Sequence, residues 1–129
     1  MTGTAKVARG RAAETRGRRA EFACVIYLRL TGWRILAQRL TGRRGSGVGE
    51  IDIVAARGNT VAMIEVKARD DLTDALGAVG VEQRARLVRA AERFLARHPE
   101  IAARDVRFDV MTVGRWYWPR RHPDAWRPD

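Results

Sequence analysis

Apolar and polar positions alternate with two different periods along this chain, and the changes of period mark its elements. From about Thr15 to Leu30 the apolar residues follow a helical spacing, and the stretch Phe22 to Leu28 is apolar almost all round. Such a helix packs against a sheet, and Gly32 suits its C-terminal stop. Short strand patterns follow at Trp33 to Arg39, Glu50 to Ala56 and Thr60 to Ala68. Arg57-Gly58-Asn59 is a hairpin signal, so the last two strands are expected to be antiparallel neighbours. Thr41 to Gly49, rich in Gly and Arg, and Asp70 to Gly80 are expected loops.

A second helix is predicted from Val81 to His98, ended by Pro99. Leu87, Val88, Ala91, Phe94 and Leu95 form its apolar stripe, and Arg86, Arg89, Arg93 and Arg97 line another face. Asp105 to Val113 is the last predicted strand. Pro119 and Pro123 are expected to stop any regular continuation; Trp116, Tyr117 and Trp118 could stack on unpaired bases, but covering a sheet edge or meeting a second copy is the preferred reading. The order helix, three strands, helix, strand implies an α/β sandwich with a mixed sheet of four or five strands, the final step being a parallel crossover. One domain spans 15–129, behind a flexible basic arm at 1–14 that carries Lys6, Arg9 and Arg11.

Charge changes the picture next. The 129 residues hold 25 Lys plus Arg against 15 Asp plus Glu, a net charge of +10, and only Lys6 and Lys67 are lysines. The arginine fork matches phosphate, so the bias favours a nucleic-acid partner, although a GC-rich genome also writes arginine for lysine. Cys24 is the single cysteine, which excludes an intrachain disulfide. No apolar run approaches the ~18 residues that span a bilayer, and the apolar run after Arg18-Arg19 lacks a cleavage site, so no membrane partner and a cytoplasmic location are expected.

The chemistry is concentrated in Gly49-Glu50-Ile51-Asp52 and Ile64-Glu65-Val66-Lys67. Strand alternation puts Glu65 and Lys67 on one face, ~6–7 Å apart, with Ile64 and Val66 opposite. Asp52 lies on the adjacent strand, with Ile51 and Ile53 on its opposite face. Two carboxylates and an amine can therefore converge on one rigid patch. Such a patch can hold a divalent cation against a phosphodiester, with Mg²⁺ suited by its preference for oxygen ligands. A lysine beside it can orient water or stabilise developing charge. A cross-strand salt bridge is the plainer alternative for Glu65 and Lys67, but it would place charge in the most apolar strand of the chain. Glu50 is a weaker candidate, since a solvated strand edge explains it. Gly45-Ser46-Gly47-Val48-Gly49 imitates a phosphate loop but leads into a strand, unlike a nucleotide-binding loop.

Gly49-Glu50-Ile51-Asp52-Ile53-Val54-Ala55 followed by Glu65-Val66-Lys67-Ala68-Arg69 resembles the YraN family, an uncharacterised bacterial family with a restriction-endonuclease-like fold. Gly17, Ala20, Glu21 and Ala23, Gln83-Arg84, and Arg107-Phe108-Asp109-Val110 extend the resemblance over nearly the whole chain. It implies a three-layer sandwich with an αβββαβ core, similar to archaeal Holliday-junction resolvases, which are Mg²⁺-dependent dimers. By that resemblance Asp52 and Glu65 would bind the metal, joined by the Val66 carbonyl, and Lys67 would be the catalytic lysine. Glu21 would be the helix glutamate near the metal, although a pair with Arg18 also accounts for it. Gln83 would approach the site from the second helix, where surface exposure or capping is the alternative. Ile51 stands where the PD-(D/E)xK motif has proline, a departure that weakens the motif slightly.

The expectation is a Mg²⁺-dependent endonuclease, with Mn²⁺ as a substitute, acting on DNA, including branched or structured forms, and possible as a homodimer. Arg43, Arg44, Arg69, Arg84 and Arg86 are the expected phosphate contacts. The competing expectation is a non-catalytic nucleic-acid-binding module of the same fold acting in repair, recombination or RNA metabolism.

Overall fold

The computed structural model describes the backbone of residues 2–40, 49–68 and 80–128, and their side chains from Thr15 onward. Helix α1 runs Thr2–Leu30. It therefore begins ahead of Thr15, its sequence-predicted start, continuing through an Ala-rich stretch (Ala5, Ala8, Ala12, Ala13) whose intrinsic preference is helical. Ala20, Glu21, Cys24, Val25 and Leu28 form its buried stripe. The apolar surround read from the sequence is not fully used, because Phe22, Ile26 and Leu30 stay exposed. Gly32, at φ +92, closes the helix. The amide of Trp33 donates to Leu28 O at 2.9 Å and that of Gly32 to Arg29 O at 3.2 Å, a Schellman closure that needs a left-handed residue.

Strands β1 (Arg34–Leu40), β2 (Ile51–Arg57) and β3 (Thr60–Lys67) follow. The β2–β3 turn closes on the pair Arg57↔Thr60, with Gly58 at φ +58, so the hairpin read from the sequence is present. Helices α2 (Val81–Arg97) and α3 (Pro99–Ala102) then lead to β4 (Asp105–Val113), which pairs parallel with β3 from Thr60↔Asp105 to Lys67↔Thr112. The sheet order is β1-β2-β3-β4-β5.

The fifth strand, β5 (Pro119–Trp126), corrects the expectation that the prolines end regular structure. It is an edge strand, so an outward-facing position loses no ladder bond when proline removes its N–H. The register shifts between Phe108 and Val110, next to Pro123. There Asp124, at φ 52, donates its amide to Asp109 Oδ1 at 2.9 Å, so a side chain supplies what the ladder omits. Asp109 is buried and also takes Arg107 Nε at 2.9 Å, which makes it a structural residue.

Two apolar clusters define the layers. On one face α1 packs Ala20, Cys24 and Leu28 against Ile53, Ala55, Ala62, Ile64 and Met111. On the other α2 packs Leu87, Ala91 and Phe94 against Val54, Val61, Met63 and Val110. The result is a three-layer α/β sandwich with a mixed five-stranded sheet. β2 and β3 are covered on both sides, which explains their near-continuous apolar sequence.

Candidate metal centre

The site forms where β2 and β3 part. Their last paired residues are Ile53 and Ile64. One step further Asp52 and Glu65 would face each other, but Asp52 Oδ2 instead accepts the Val66 amide N–H at 2.8 Å. A side-chain carboxylate thus replaces a backbone carbonyl and holds the strands together as they diverge. Ile51 joins the cluster on the α2 side, not the α1 side of Ile53, so the strict alternation read from the sequence breaks here. Across β1, the pairs Gln38↔Ile53 and Leu40↔Ile51 set Arg39 opposite Asp52, with Arg39 at φ 50.

Glu65 is 8% exposed, and its Oε1 meets Lys67 Nζ at 3.4 Å. Its other oxygen, Oε2, is buried with no hydrogen-bond partner. Burial, reinforced by the neighbouring charge of Asp52, pushes the Glu65 carboxyl up to about 8, against the pull of Lys67. Asp52 is also raised, again by burial, with the Val66 amide opposing the shift. The buried Glu21 carboxyl is raised by burial and held back by Arg39, whose Nε lies 3.4 Å from Glu21 Oε2. Asp52 contributes to the raised state of Glu21, so the two carboxylates sense each other across the sheet layer.

A cleft of about 720 Å³ opens on this fork, lined by Gly49, Glu50, Asp52, Glu65, Gln83 and Arg86 among others. The first turn of α2, which has no side-chain cap, forms one wall. Gly49 fits tightly against α2: its amide donates to Arg86 O at 3.1 Å, and a Cβ there would lie 3.1 Å from Arg86 Cβ.

Asp52, Glu65 and Lys67 are thus brought together, and Gln83 shares their cleft. Glu21 lies in the α1 layer and reaches the region through Arg39. Val66 enters through its amide, while its side chain packs toward α1. Arg86 lines the cleft and pairs with Glu82 at 3.7 Å. Arg84 turns elsewhere, stacking its guanidinium 5.4 Å from the Trp126 ring. Arg43, Arg44 and Arg69 lie outside the described residues. Sequence reasoning missed Arg39 and the packing role of Gly49. Only the β1–β2 register reveals the first, and the segment joining those strands is too long for a turn rule to fix that register.

The donor set fits a divalent cation. Two buried carboxyls side by side, with Lys67 as the one cationic neighbour on Glu65 among the described residues, leave oxygen lone pairs that Mg²⁺ would engage once both are ionised. Among the described residues no three Asp, Glu, His or Cys side chains converge. Two carboxylates suit an ion that keeps several waters, not a closed structural cage. No described helix is long and apolar enough to cross a membrane.

Residues 20–113 match the model of the uncharacterised protein family UPF0102. A UPF0102 protein of Paramagnetospirillum magneticum is 51% identical over 118 residues, 92% of each chain. One of Parvibaculum lavamentivorans is 46% identical over 121 residues, 94% of this chain and 88% of that protein. One of Caulobacter vibrioides is 40% identical over 126 residues, 98% of each. With the family model covering most of the chain and these relatives covering more, the chain belongs to UPF0102, the YraN family.

Proposed function

We propose that this protein is a divalent-metal-dependent endonuclease of the PD-(D/E)xK type that hydrolyses phosphodiester bonds in DNA, branched or structured DNA included. The observation that carries the reading is the buried Asp52–Glu65 carboxyl pair, which opens on the cleft and whose Glu65 Oε1 meets Lys67 Nζ at 3.4 Å. Asp52 and Glu65 would hold Mg²⁺, or Mn²⁺ in its place, with the Val66 carbonyl as a third donor. When bound, the ion supplies Lewis-acid polarisation of a phosphate oxygen.

The chain's own groups do the rest. Lys67 Nζ, partly buried beside Glu65, donates to a phosphate oxygen or orients the attacking water. Gln83 offers an amide from α2 to position that water or the phosphate. The first turn of α2 contributes the positive end of its dipole to the same wall. Glu21, fixed by Arg39, maintains the negative field behind Asp52. Arg86 at the cleft, with Arg43, Arg44 and Arg69, would contact flanking phosphates, whereas Arg84 is turned toward Trp126. An acid-lined cleft in a chain of charge +10 suits a cation bridging protein and polyanion.

The test is cleavage of linear duplex, single-stranded and four-way-junction DNA with Mg²⁺ or Mn²⁺, beside Asp52→Ala and Lys67→Ala. Hydrolysis by the wild type and its loss in both variants is the expected result. Hydrolysis unchanged in both variants refutes the site. Tight, salt-sensitive binding with no hydrolysis of any substrate refutes the nuclease reading in favour of a non-catalytic binding module.

A further inference from the structure

The connection between β4 and β5 places three exposed aromatic side chains in a row, one of them the most exposed large apolar residue among those described. Trp116 is 93% exposed, Trp118 69% and Tyr117 42%. The sequence suggested a cover for a sheet edge or a contact with a second copy; β5 forms the edge, and the three aromatics lie in the turn just ahead of it. Trp116 and Tyr117 both sit in the left-handed region, at φ 65 and 54, where bulky side chains are rare. The Tyr117 amide donates to Gly114 O at 3.3 Å, closing a tight turn in which Trp116 departs from helical backbone. The turn rests against α1, with Trp116 almost wholly in solvent and Tyr117 more than half covered.

What surrounds the rings is cationic. Arg115 precedes them, Arg120 follows, and Arg16 of α1 lines a groove of about 480 Å³ with the turn, while Arg121 turns away to lie over the Trp33 ring. Ala68 also lines this groove, and it is the residue after Lys67. β3 and β4 run parallel with Lys67 beside Thr112, so the turn lies at the same sheet end as the carboxylate cleft. The groove is walled by α1 and the cleft by α2, at this shared end of the sheet.

We propose that Trp116, Tyr117 and Trp118 form a stacking platform for unpaired bases of the DNA strand engaged by the cleft, with Arg16, Arg115 and Arg120 taking its phosphates. This deepens the proposed function and rests on it for the identity of the polymer. Base–aromatic stacking is tolerant of sequence and needs a base freed from its pair, so the platform selects strands at branches, gaps or ends over continuous duplex.

The test compares wild type, Trp116→Ala/Trp118→Ala and Trp116→Phe/Trp118→Phe in EDTA, by fluorescence anisotropy. The probes are oligo(dT) of about 15 nucleotides, an abasic strand of the same length and charge, and a blunt duplex. The alanine variant is expected to lose about tenfold or more of its affinity for oligo(dT), and less than about twofold for the other two probes. The phenylalanine variant is expected to keep most of it, which separates stacking from a fold defect. Unchanged oligo(dT) affinity in the alanine variant, or equal losses on all three probes, overturns the proposal. So does concentration-dependent self-association that the alanine variant abolishes, which would assign the rings to a second copy of this chain. Binding in EDTA does not require hydrolysis, so failure of the platform and failure of the nuclease reading give different results.

Discussion

Glu65→Gln removes one ionisable proton from the cleft while keeping the side chain's shape, and its effect on stability should depend on pH in a defined direction. The Glu65 carboxyl moves from 4.5 in the unfolded chain to about 8 in the fold. Below about pH 4.5 both states are protonated, and the neutral carboxyl contributes its full stability. Between 4.5 and 8 the fold keeps a proton that the unfolded chain has released, so stability falls as pH rises. Above 8 the fold carries the buried charge, and the accumulated loss is about 4–5 kcal/mol as an upper bound. Glutamine never ionises. The variant should therefore exceed wild type by about 2 kcal/mol near pH 6 and by about 4 kcal/mol near pH 9, in EDTA. Urea unfolding of both proteins at the two pH values measures the gap; groups distant from Glu65 largely cancel between them, while Asp52, relieved of its neighbour's charge, adds to it. A gap that does not widen with pH, or a variant less stable than wild type near pH 9, refutes the claim that burial of Glu65 against Asp52 strains the fold.

Three further outcomes follow from the same geometry. Lys67→Met should leave cation binding intact while lowering the hydrolysis rate by roughly 10²–10³-fold, seen in single-turnover cleavage; loss of cation binding instead would make Lys67 structural. Arg39→Ala strips the buried Glu21 carboxylate of its partner and should cost about 1–3 kcal/mol in urea unfolding, with Glu21→Gln in the same chain recovering most of it. Gly49→Ala puts a Cβ 3.1 Å from Arg86 Cβ and 3.3 Å from its backbone carbon; it should cost about 1–2 kcal/mol by overpacking and weaken cation binding as α2 is pushed from the fork.

The sheet was legible because β2 and β3 advertise themselves as continuous apolar runs around a glycine turn, and the parallel step to β4 followed from the helix between them. The triad was legible for the same reason, since alternation alone places Glu65 and Lys67 together. The fork was not. Alternation assumes that pairing continues, whereas β2 leaves β3 at Asp52 and turns Ile51 to the other face. Arg39 was hidden because its role depends on a register across a long connection. β5 was hidden because proline argues against a strand only where the N–H is needed, and an edge does not always need it. α1 ran past its expected start because helix propensity in the Ala-rich segment outweighed its glycines.

The pairing of Asp52 with Glu65 as a cation site is tested most directly by titrating the protein with Mn²⁺ calorimetrically near pH 8.5, where Glu65 is largely ionised. One ion per chain is expected, bound more weakly near pH 6 because its entry must then displace a proton, and lost in both Asp52→Asn and Glu65→Gln. Binding that persists unchanged in both variants, or that is insensitive to pH between those values, would contradict the account.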